Sequence, residues 1–189
     1  MNLNYSLLLG SKSPRRLQLL QAAGFDPEVV EIISKEVFPQ LLPVMEVARF
    51  LAEQKAEAYI GNLENQILLT ADTIVTIDDQ ILGKPKDDQE AKQMLMKLSG
   101  KKHLVITGTC LKTNTNSISF DECTEVYFKI LTEEEINYYV DKYHPLDKAG
   151  AYGIQEWIGM IGVEKIVGSY FNVVGLPVHL VVKHLNSIS

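Results

Sequence analysis

The chain has 189 residues, of which 46% are hydrophobic and 22% are charged, and this balance predicts a globular rather than a disordered protein. Its formal net charge of -6 argues against a protein that binds nucleic acid or an anionic membrane through a broad basic face. No apolar stretch approaches the roughly 18 residues of a membrane span, and the first residues lack the basic start of a signal peptide. We therefore expect a cytoplasmic protein without nucleic-acid or membrane partners.

Strand and helix signals alternate along the first third of the sequence. The apolar run Tyr5–Leu9 predicts a buried strand, and a helix is expected from Pro14 to about Ala23, with a glycine as its stop. A second strand is expected near Phe25–Ile33. An amphipathic helix then begins after Pro43 and runs to about residue 59.

The middle of the chain contains two predicted hairpins. Ile67–Ile77 is apolar and β-branched, and Asp78-Asp79 suits a tight turn into Ile81-Leu82. A helix capped by Asp87 or Asp88 is expected to run to residue 98.

The second hairpin should pair Leu104–Leu111 with Ser119–Leu131 in antiparallel orientation. Thr132 and Glu135 form a capping box for a helix that runs to about residue 142. The last third mixes glycines with short apolar runs and ends on a helix after Pro177.

No repeat, low-complexity tract or Gly/Ser-rich linker divides the sequence, so a single domain over residues 1–189 is predicted. Because strands and helices are interleaved but hairpins are also present, we expect an α/β fold whose sheet is mixed rather than purely parallel.

The segment Ser11–Arg16, which reads Ser-Lys-Ser-Pro-Arg-Arg, joins the first predicted strand to the first helix. Ser13 suits the N-cap and Pro14 the first helical position, so both arginines lie in the first turn. Cations are disfavoured there by about 0.3–1 kcal/mol each, because that end of the helix dipole is positive. The placement therefore indicates a bound anion such as phosphate. The alternative is a solvated basic turn.

Lys55 stands within the apolar stripe of the second predicted helix, four residues after Leu51. A lysine at such a position either extends its ammonium group to the surface or points into a polar cleft. In the second case the ammonium group would meet a phosphate.

Asp72 interrupts the apolar strand Leu69–Val75, and a carboxylate there is costly to bury unless it is paired or binds a metal. One hairpin later, Lys84 stands in Gly83–Lys86. The pattern indicates a metal-binding carboxylate accompanied by a phosphate-binding lysine. A structural ion pair of Asp72 is the alternative.

The segment Asp147–Gln155 is rich in small residues, which permit a close approach of the backbone to a ligand. Lys148 offers a donor, and the amide of Gln155 is able to read the edge of a base. A structural turn is the alternative.

Other classes of catalytic site find no support in the sequence. Its four histidines lack the spacing of metal ligands, and neither a Walker A motif nor a Gly-x-Gly-x-x-Gly or Gly-x-Ser-x-Gly motif is present. A hydrolase of the Ser-His-Asp type is therefore not expected.

Together, these segments resemble the Maf family of nucleotide pyrophosphatases, also known as septum-formation inhibitor homologues. The matches occur in family order and cover nearly the whole chain. They are Ser11–Arg16, Lys55-Ala56, Ala71-Asp72-Thr73, Leu82-Gly83-Lys84-Pro85, Leu98-Ser99-Gly100, Ile106-Thr107-Gly108, Asp147–Gln155 and Gly168–Pro177.

The resemblance implies an inosine-triphosphatase-like α/β fold, with a mixed central sheet flanked by helices and two lobes with an active cleft between them. It also implies a homodimer that hydrolyses a nucleoside triphosphate between the α- and β-phosphates with Mg²⁺ or Mn²⁺. The run Ala151–Gln155 is similar to the dTTP/UTP branch, whereas relatives that act on 7-methyl-GTP carry a Ser-Phe-Lys-type run there. A pyrimidine nucleoside triphosphate is therefore the expected substrate.

The same resemblance assigns roles to individual residues. Asp72 matches the catalytic aspartate, which accepts a proton and can also touch the metal. The positions tied to substrate choice are Arg15, Thr73 and Gln155. The polar lining around the triphosphate is Ser11, Arg16, Lys55, Lys84 and Lys148.

The acidic metal position departs from the usual family pattern. Many members carry a valine or isoleucine, an aspartate and a glutamate shortly before a proline, and the corresponding segment here is Ile33–Pro39. Counting back from Pro39 places Glu36 at the metal position, with Lys35 where an acid is common. Glu36 is the predicted ligand, and Glu31 is the alternative.

Two other functions compete with this one. The first is a nucleotide-binding regulator of septation that does not catalyse, and the second is a hydrolase of unusual purine triphosphates such as those of inosine or xanthosine. The presence of Asp72 among cationic residues favours catalysis, because binding of an anion alone would not require a carboxylate.

Overall fold

The computed structural model describes residues 5–188, in which strands and α-helices alternate as the sequence predicts. The strands are β1 (Ser6–Leu9), β2 (Glu28–Val29), β3 (Gln66–Ile77), β4 (Gln80–Leu82), β5 (Lys102–Lys112), β6 (Ser117–Phe128) and β7 (Val163–Val167). The helices are α1 (Pro14–Ala22), α2 (Val44–Glu57), α3 (Asp88–Leu98), α4 (Glu133–Tyr143), α5 (Trp157–Gly162), α6 (Tyr170–Val174) and α7 (Val178–Ile188). A short 3-10 turn covers Ala149–Ala151.

The seven strands belong to one sheet with the order β2-β1-β3-β5-β6-β7, and β4 pairs with β3 outside this path. β1 runs parallel to both β2 and β3, with Leu7 opposite Ile67. The pairs β3–β4 and β6–β7 are antiparallel, with Val75 opposite Leu82 in the first of them. The prediction of a mixed sheet is therefore confirmed.

Both predicted hairpins are present. In the hairpin of β3 and β4, the turn residues Asp78 and Asp79 have φ values of 50° and 58°. Aspartate tolerates positive φ, and two-residue hairpin turns whose twist suits the strands require it at both positions. The neighbouring strands β5 and β6 are joined by hydrogen bonds at both ends of their hairpin, from Thr113 N to Asn116 O and from Phe128 N to Lys101 O.

Contacts divide the chain into two compact units. The first unit comprises residues 5–73, 107–122 and 175–188 of the described part, and the second comprises residues 74–106 and 123–174.

In the first unit, β1 and β3 are buried on both faces. One face packs against α1 and α7, in a cluster that includes Leu7, Leu9, Leu20, Leu69 and Leu185. The other face packs against α2, through Leu8, Leu68, Ala52 and Ala56. Burial on both faces explains why Leu7–Leu9 and Ile67–Leu69 are continuous apolar runs rather than alternating ones.

In the second unit, a single apolar cluster packs α3, α4 and α5 against the strands. Its members include Val75, Leu95, Val126, Phe128, Ile136, Tyr139 and Ile158. The predicted capping box of α4 is confirmed, because Thr132 Oγ1 accepts a hydrogen bond from Glu135 N and Glu135 Oε2 accepts one from Thr132 N. Asp87 caps α3 by accepting a hydrogen bond of 2.8 Å from Glu90 N.

The structure corrects the prediction at two places. β2 spans only Glu28–Val29 instead of Phe25–Ile33, because it pairs with β1 for two residues before the chain leaves the sheet. The segment Trp157–Val174 holds α5, β7 and α6, none of which the sequence predicts individually. β7 has Glu164-Lys165 at its centre and is defined by its pairing with the distant strand β6. Among residues 5–188, no helix is both long and apolar enough to cross a membrane.

His103, at the start of β5, is 1% exposed and belongs to an aromatic cluster in the second unit. Its Nε2 lies 2.7 Å from the hydroxyl of Tyr152, and its ring meets that of Phe128 edge to face at 5.1 Å. Its Nδ1 is buried without a hydrogen-bond partner. Burial lowers the pKa of the His103 imidazole from 6.5 to about 4, so the ring is neutral in the folded protein at pH 7.

We predict that the contribution of His103 to the free energy of unfolding decreases by about 3 kcal/mol as the pH falls from 6.5 to 4. In this window the unfolded chain binds a proton on the imidazole while the folded protein does not, so the contribution is complete above pH 6.5 and is lost towards pH 4. Urea unfolding at pH 7.5 and 4.5 measures it. His103→Gln, which keeps a polar group near Tyr152 but does not titrate, should show a shallower pH dependence. Equal slopes for both proteins would contradict the assignment.

Candidate functional site

The residues predicted to act on a nucleotide lie in both units. The first unit contains Ser11, Arg15, Arg16, Glu36, Lys55, Asp72 and Thr73, and the second contains Lys84, Lys148 and Gln155.

In the first unit, Lys55 of α2 joins two carboxylates. Its Nζ forms an ion pair and hydrogen bond with Asp72 Oδ1, and it lies 3.0 Å from Glu36 Oε1. The side chains of Lys55 and Asp72 are only 14% and 15% exposed, whereas that of Glu36 is 52% exposed. Lys55 therefore does not extend to open solvent. A buried ammonium group of this kind requires paired carboxylates, and it has two.

The position of Asp72 follows from the alternation of side chains along β3. Successive residues of a strand point to opposite faces, so Asp72 shares a face with Leu68 and Thr70. Leu68 packs with α2, and the Thr70 hydroxyl donates a hydrogen bond of 2.6 Å to the carbonyl oxygen of Ala52 in that helix. Lys55 lies three residues after Ala52 on the same side of α2. Asp72 thus interrupts a buried strand face with a charged side chain.

Thr73, one residue later, faces the opposite side of β3 and meets Arg16 of α1. Arg16 Nη2 donates to Thr73 Oγ1 over 3.0 Å, Nη1 donates to Ser11 Oγ over 3.0 Å, and Nε donates to the carbonyl oxygen of Gly175 over 2.9 Å. The Arg16 side chain is buried. The structure thus brings Ser11, Arg16 and Thr73 together.

Positive charge accumulates at the start of α1, as the sequence predicts. Ser13 is the N-cap residue and Pro14 opens the helix, although the Ser13 side chain accepts no hydrogen bond from the helix. Arg15 is half-buried in the first turn, which contains no acidic residue. Burial lowers the pKa of the Arg16 guanidinium, the nearby charge of Asp72 raises it, and that of Arg15 lowers it again. Arginine stays protonated under such shifts, so this turn carries two full charges.

In the second unit, Lys148 is buried between two carboxylates. Its Nζ lies 2.6 Å from Asp147 Oδ1 and 3.2 Å from Glu156 Oε1. Glu156 Oε2 also accepts a hydrogen bond from the hydroxyl of Tyr139, and that hydroxyl accepts one of 3.0 Å from Gly153 N. Burial and the bond to Glu156 raise the pKa of the Tyr139 phenol, so it is a neutral donor. The network fixes the backbone that precedes Gln155.

Gln155 is exposed and lines a cavity of about 440 Å³ in the second unit. The other residues around this cavity are largely apolar: Ile154, Gly159, Met160, Val163, Ile166 and Tyr170. Lys84 is exposed in the loop that follows β4.

Glu36 and Asp72 are the carboxylates of the first unit that the sequence predicts to hold a metal ion. No group of three or more His, Cys, Asp or Glu residues suited to a metal ion occurs within residues 5–188. Mg²⁺, however, is commonly held by one or two carboxylates together with the phosphates of a substrate. Glu36 and Asp72, which both contact Lys55, provide such a pair. Glu31 instead pairs with Lys12 at the surface over 2.6 Å.

Three residues contact the predicted site residues or belong to their hydrogen-bond networks, although the sequence analysis did not single them out: Thr107, Tyr139 and Glu156. Thr107 Oγ1 lies 2.9 Å from Thr73 Oγ1, and it belongs to the matching segment Ile106-Thr107-Gly108. Tyr139 stands three residues after Ile136 in the core stripe of α4, so its ring is predictable from periodicity but its polar contacts are not.

Comparison with known proteins places the chain among related enzymes. The family model described as "Maf-like protein" matches residues 6–188. A dTTP/UTP pyrophosphatase of Phocaeicola vulgatus is 48% identical over 97% of this chain and 96% of its own length. The enzyme of the same name from Bacteroides thetaiotaomicron is 47% identical over 92% of this chain and 91% of its own. That from Flavobacterium johnsoniae is 46% identical over 97% and 95%.

Among solved structures, a HAM1 protein from Coxiella burnetii aligns with a TM-score of 0.42 and 14% identity, over 66% of this chain and 73% of its own. The family match spans nearly every described residue, and the identity to the three enzymes is high over nearly their full lengths. The chain therefore belongs to the Maf family.

Proposed function

We propose that this protein hydrolyses pyrimidine nucleoside triphosphates, dTTP and UTP among them, to the monophosphate and pyrophosphate. Asp72 has the ion-pair partner that is the structural alternative to metal binding, so its pairing with Lys55 does not by itself indicate catalysis. Two other facts support the proposal: the near full-length identity to enzymes named dTTP/UTP pyrophosphatases, and the second carboxylate, Glu36, which contacts the same ammonium group. The main structural observation behind the proposal is the placement of Asp72, a largely buried carboxylate within an otherwise buried strand, with Glu36 nearby.

In the proposed reaction, a water molecule attacks the α-phosphorus and the bond from that phosphorus to the bridging oxygen breaks. Pyrophosphate leaves with the bridging oxygen, and Asp72 accepts the proton that the water gives up. Arg15, with Ser11 nearby at the start of α1, would bind phosphate oxygens together with backbone N–H groups of the helix. Lys55 holds the Asp72 carboxylate in place and balances the negative charge around it.

We propose that the activity requires Mg²⁺ or Mn²⁺ and that Glu36 and Asp72 would hold the ion. When bound, the ion would neutralise phosphate oxygens and so lower the barrier to the departure of pyrophosphate. The shared contact of Glu36 and Asp72 with Lys55 favours Glu36 over Glu31 as the second ligand.

Further roles rest on the family resemblance. Thr73, Gln155 and Arg15 are proposed to select the pyrimidine, and Lys84 and Lys148 to bind the triphosphate. We also propose that the protein is a homodimer that acts in the cytoplasm. Each substrate-binding role is tested by the effect of its substitution on kcat/KM for dTTP.

A nucleotide panel tests the proposed activity. The protein is mixed with dTTP, UTP, CTP, dATP, ITP and XTP in the presence of Mg²⁺, Mn²⁺ or excess EDTA, and released pyrophosphate is measured. We expect release from dTTP and UTP that EDTA abolishes and added Mg²⁺ or Mn²⁺ restores. Binding of dTTP without release would contradict the proposal and favour the regulator. A preference for ITP and XTP would contradict the pyrimidine assignment.

A further inference from the structure

The guanidinium group of Arg16 is directed at acceptors of the protein. It carries five N–H groups, and three of them donate to the Ser11 hydroxyl, the Thr73 hydroxyl and the Gly175 carbonyl at 2.9–3.0 Å. The side chain is 9% exposed. Because Nε and both terminal nitrogens already donate to protein acceptors, only two of the five N–H groups remain for the bidentate pairing that makes arginine a strong phosphate ligand.

The Thr73 hydroxyl is held in place by several neighbours. Its Oγ1 accepts from Arg16 Nη2 and lies 2.9 Å from Thr107 Oγ1 and 3.5 Å from the Gly175 carbonyl oxygen. A hydroxyl has one hydrogen to donate and two lone pairs to accept with. The bond from Arg16 uses one lone pair, and the contact with Thr107 uses either the hydrogen or the second lone pair. The longer contact with Gly175 is weak, so one position of the hydroxyl remains for another partner. These contacts select one rotamer of Thr73.

Gly175 contributes to the same arrangement through its backbone. Its φ of 132° is rarely adopted by residues that have a side chain. A Cβ at this position would lie 3.8 Å from Thr73 Oγ1 and 4.0 Å from Arg16 Nε. The carbonyl that accepts from Arg16 is therefore set by a backbone conformation that favours glycine.

We propose that Arg16 is a positioning residue that fixes the hydroxyls of Thr73 and Ser11, rather than a ligand of the triphosphate. Through these bonds it ties the start of α1 to the residue that directly follows Asp72 on β3. The inference rests on the proposed function, because it assigns Thr73 and Ser11 to the nucleotide and Arg16 to their placement.

The test uses two substitutions that break the same bond from opposite ends. Arg16→Lys keeps the charge but replaces the fork by a compact ammonium group, and Thr73→Val keeps the shape but removes the acceptor. The readout is the ratio of kcat/KM for dTTP to that for dATP, because a loss of folded protein leaves this ratio unchanged. We expect each substitution to lower the ratio about tenfold, the factor that one hydrogen bond to a charged group is worth.

The double variant separates positioning from direct binding. If Arg16 acts through Thr73, the two substitutions together should lower the ratio no more than either one alone. Thr73→Ser, which retains the hydroxyl, should keep more of the ratio than Thr73→Val. Arg49→Lys is the matched control, since Arg49 is another arginine of the first unit and pairs with Asp121 over 3.0 Å. It should leave the ratio unchanged. Multiplying losses in the double variant would overturn the inference.

A crystal structure of the Arg16→Lys variant provides a readout that does not depend on activity. We expect the Thr73 side chain to adopt another rotamer and the Ser11 hydroxyl to turn away from its present direction. Unchanged rotamers at both residues would overturn the inference even if turnover fell. If the natural protein releases no pyrophosphate from any nucleotide, the proposed function fails, and the rotamers alone decide the role of Arg16.

Discussion

Replacing Asp72 with asparagine is expected to lower the rate of pyrophosphate release from dTTP by about 10²–10⁴-fold, the contribution of a positioned acid–base group. Asparagine has nearly the same size and shape as aspartate but cannot accept the proton of the attacking water. Lys55 keeps its contact with Glu36 at 3.0 Å, so the ammonium group is not left without a carboxylate. We therefore expect the far-ultraviolet circular dichroism spectrum of the variant to match that of the natural protein.

Asp121→Asn is the matched control for this substitution. Asp121 also lies in the first unit, is 27% exposed, and accepts a bond of 3.0 Å from Arg49. Its loss removes one paired carboxylate without touching Lys55 or Asp72, so turnover of dTTP should stay within about twofold of the natural rate, as expected for a surface pair worth less than 1 kcal/mol. Near-normal hydrolysis by Asp72→Asn would reject Asp72 as the proton acceptor. Equal losses in both variants would point to folding rather than chemistry.

The elements that sequence reasoning predicted are those whose signals are local. The Thr132/Glu135 capping box and the Asp78-Asp79 turn each require particular residue types at fixed spacing, and both are present as expected. β1 and the first part of β3 were predictable because burial on both faces favours continuous apolar runs, here Leu7–Leu9 and Ile67–Leu69.

Other elements depend on partners that are distant in the chain. β7 has Glu164 and Lys165 near its centre, so its own five residues do not read as a strand. It forms because it pairs with β6, which lies far away in the sequence. β2 was predicted too long for a related reason, since apolar composition continues past Val29 while pairing with β1 does not. Propensity yields to tertiary pairing in such edge segments.

The candidate site shows the same division. Periodicity placed Lys55 on the buried side of α2, and the apolar context marked Asp72 as a carboxylate in need of a partner. The ion pair between these two residues depends on the packing of α2 on β3, which the sequence does not show. The helix dipole predicts the same anion contact for Arg15 and Arg16, because its field does not distinguish successive residues of one turn. Acceptors at Thr73 and Gly175, more than fifty residues away, engage Arg16.

Gly108 of β5 shows how tightly α2 is held against the sheet. A Cβ at this position would overlap the backbone N of Arg49 and the backbone C and O of Ala48, both in α2. Because these are backbone atoms, no change of rotamer relieves the overlap, and the helix itself must move. We expect Gly108→Ala to lower the free energy of unfolding by about 3 kcal/mol, the upper end of the usual cost of overpacking. For a chain of this size that corresponds to a fall in Tm of about 6–12 °C.

Gly83→Ala is the matched control, because no atom lies within 4 Å of a Cβ at Gly83. Its Tm should stay within about 2 °C of the natural value. Lys55 stands about two helical turns beyond Ala48, so a displaced α2 carries the ammonium group away from Asp72, which is fixed on β3. Gly108→Ala should therefore also reduce turnover of dTTP at temperatures well below its own Tm, when nearly all of it is folded. A Gly108→Ala variant as stable and as active as the natural protein would show that the spacing between α2 and β5 is not what holds Lys55 against Asp72.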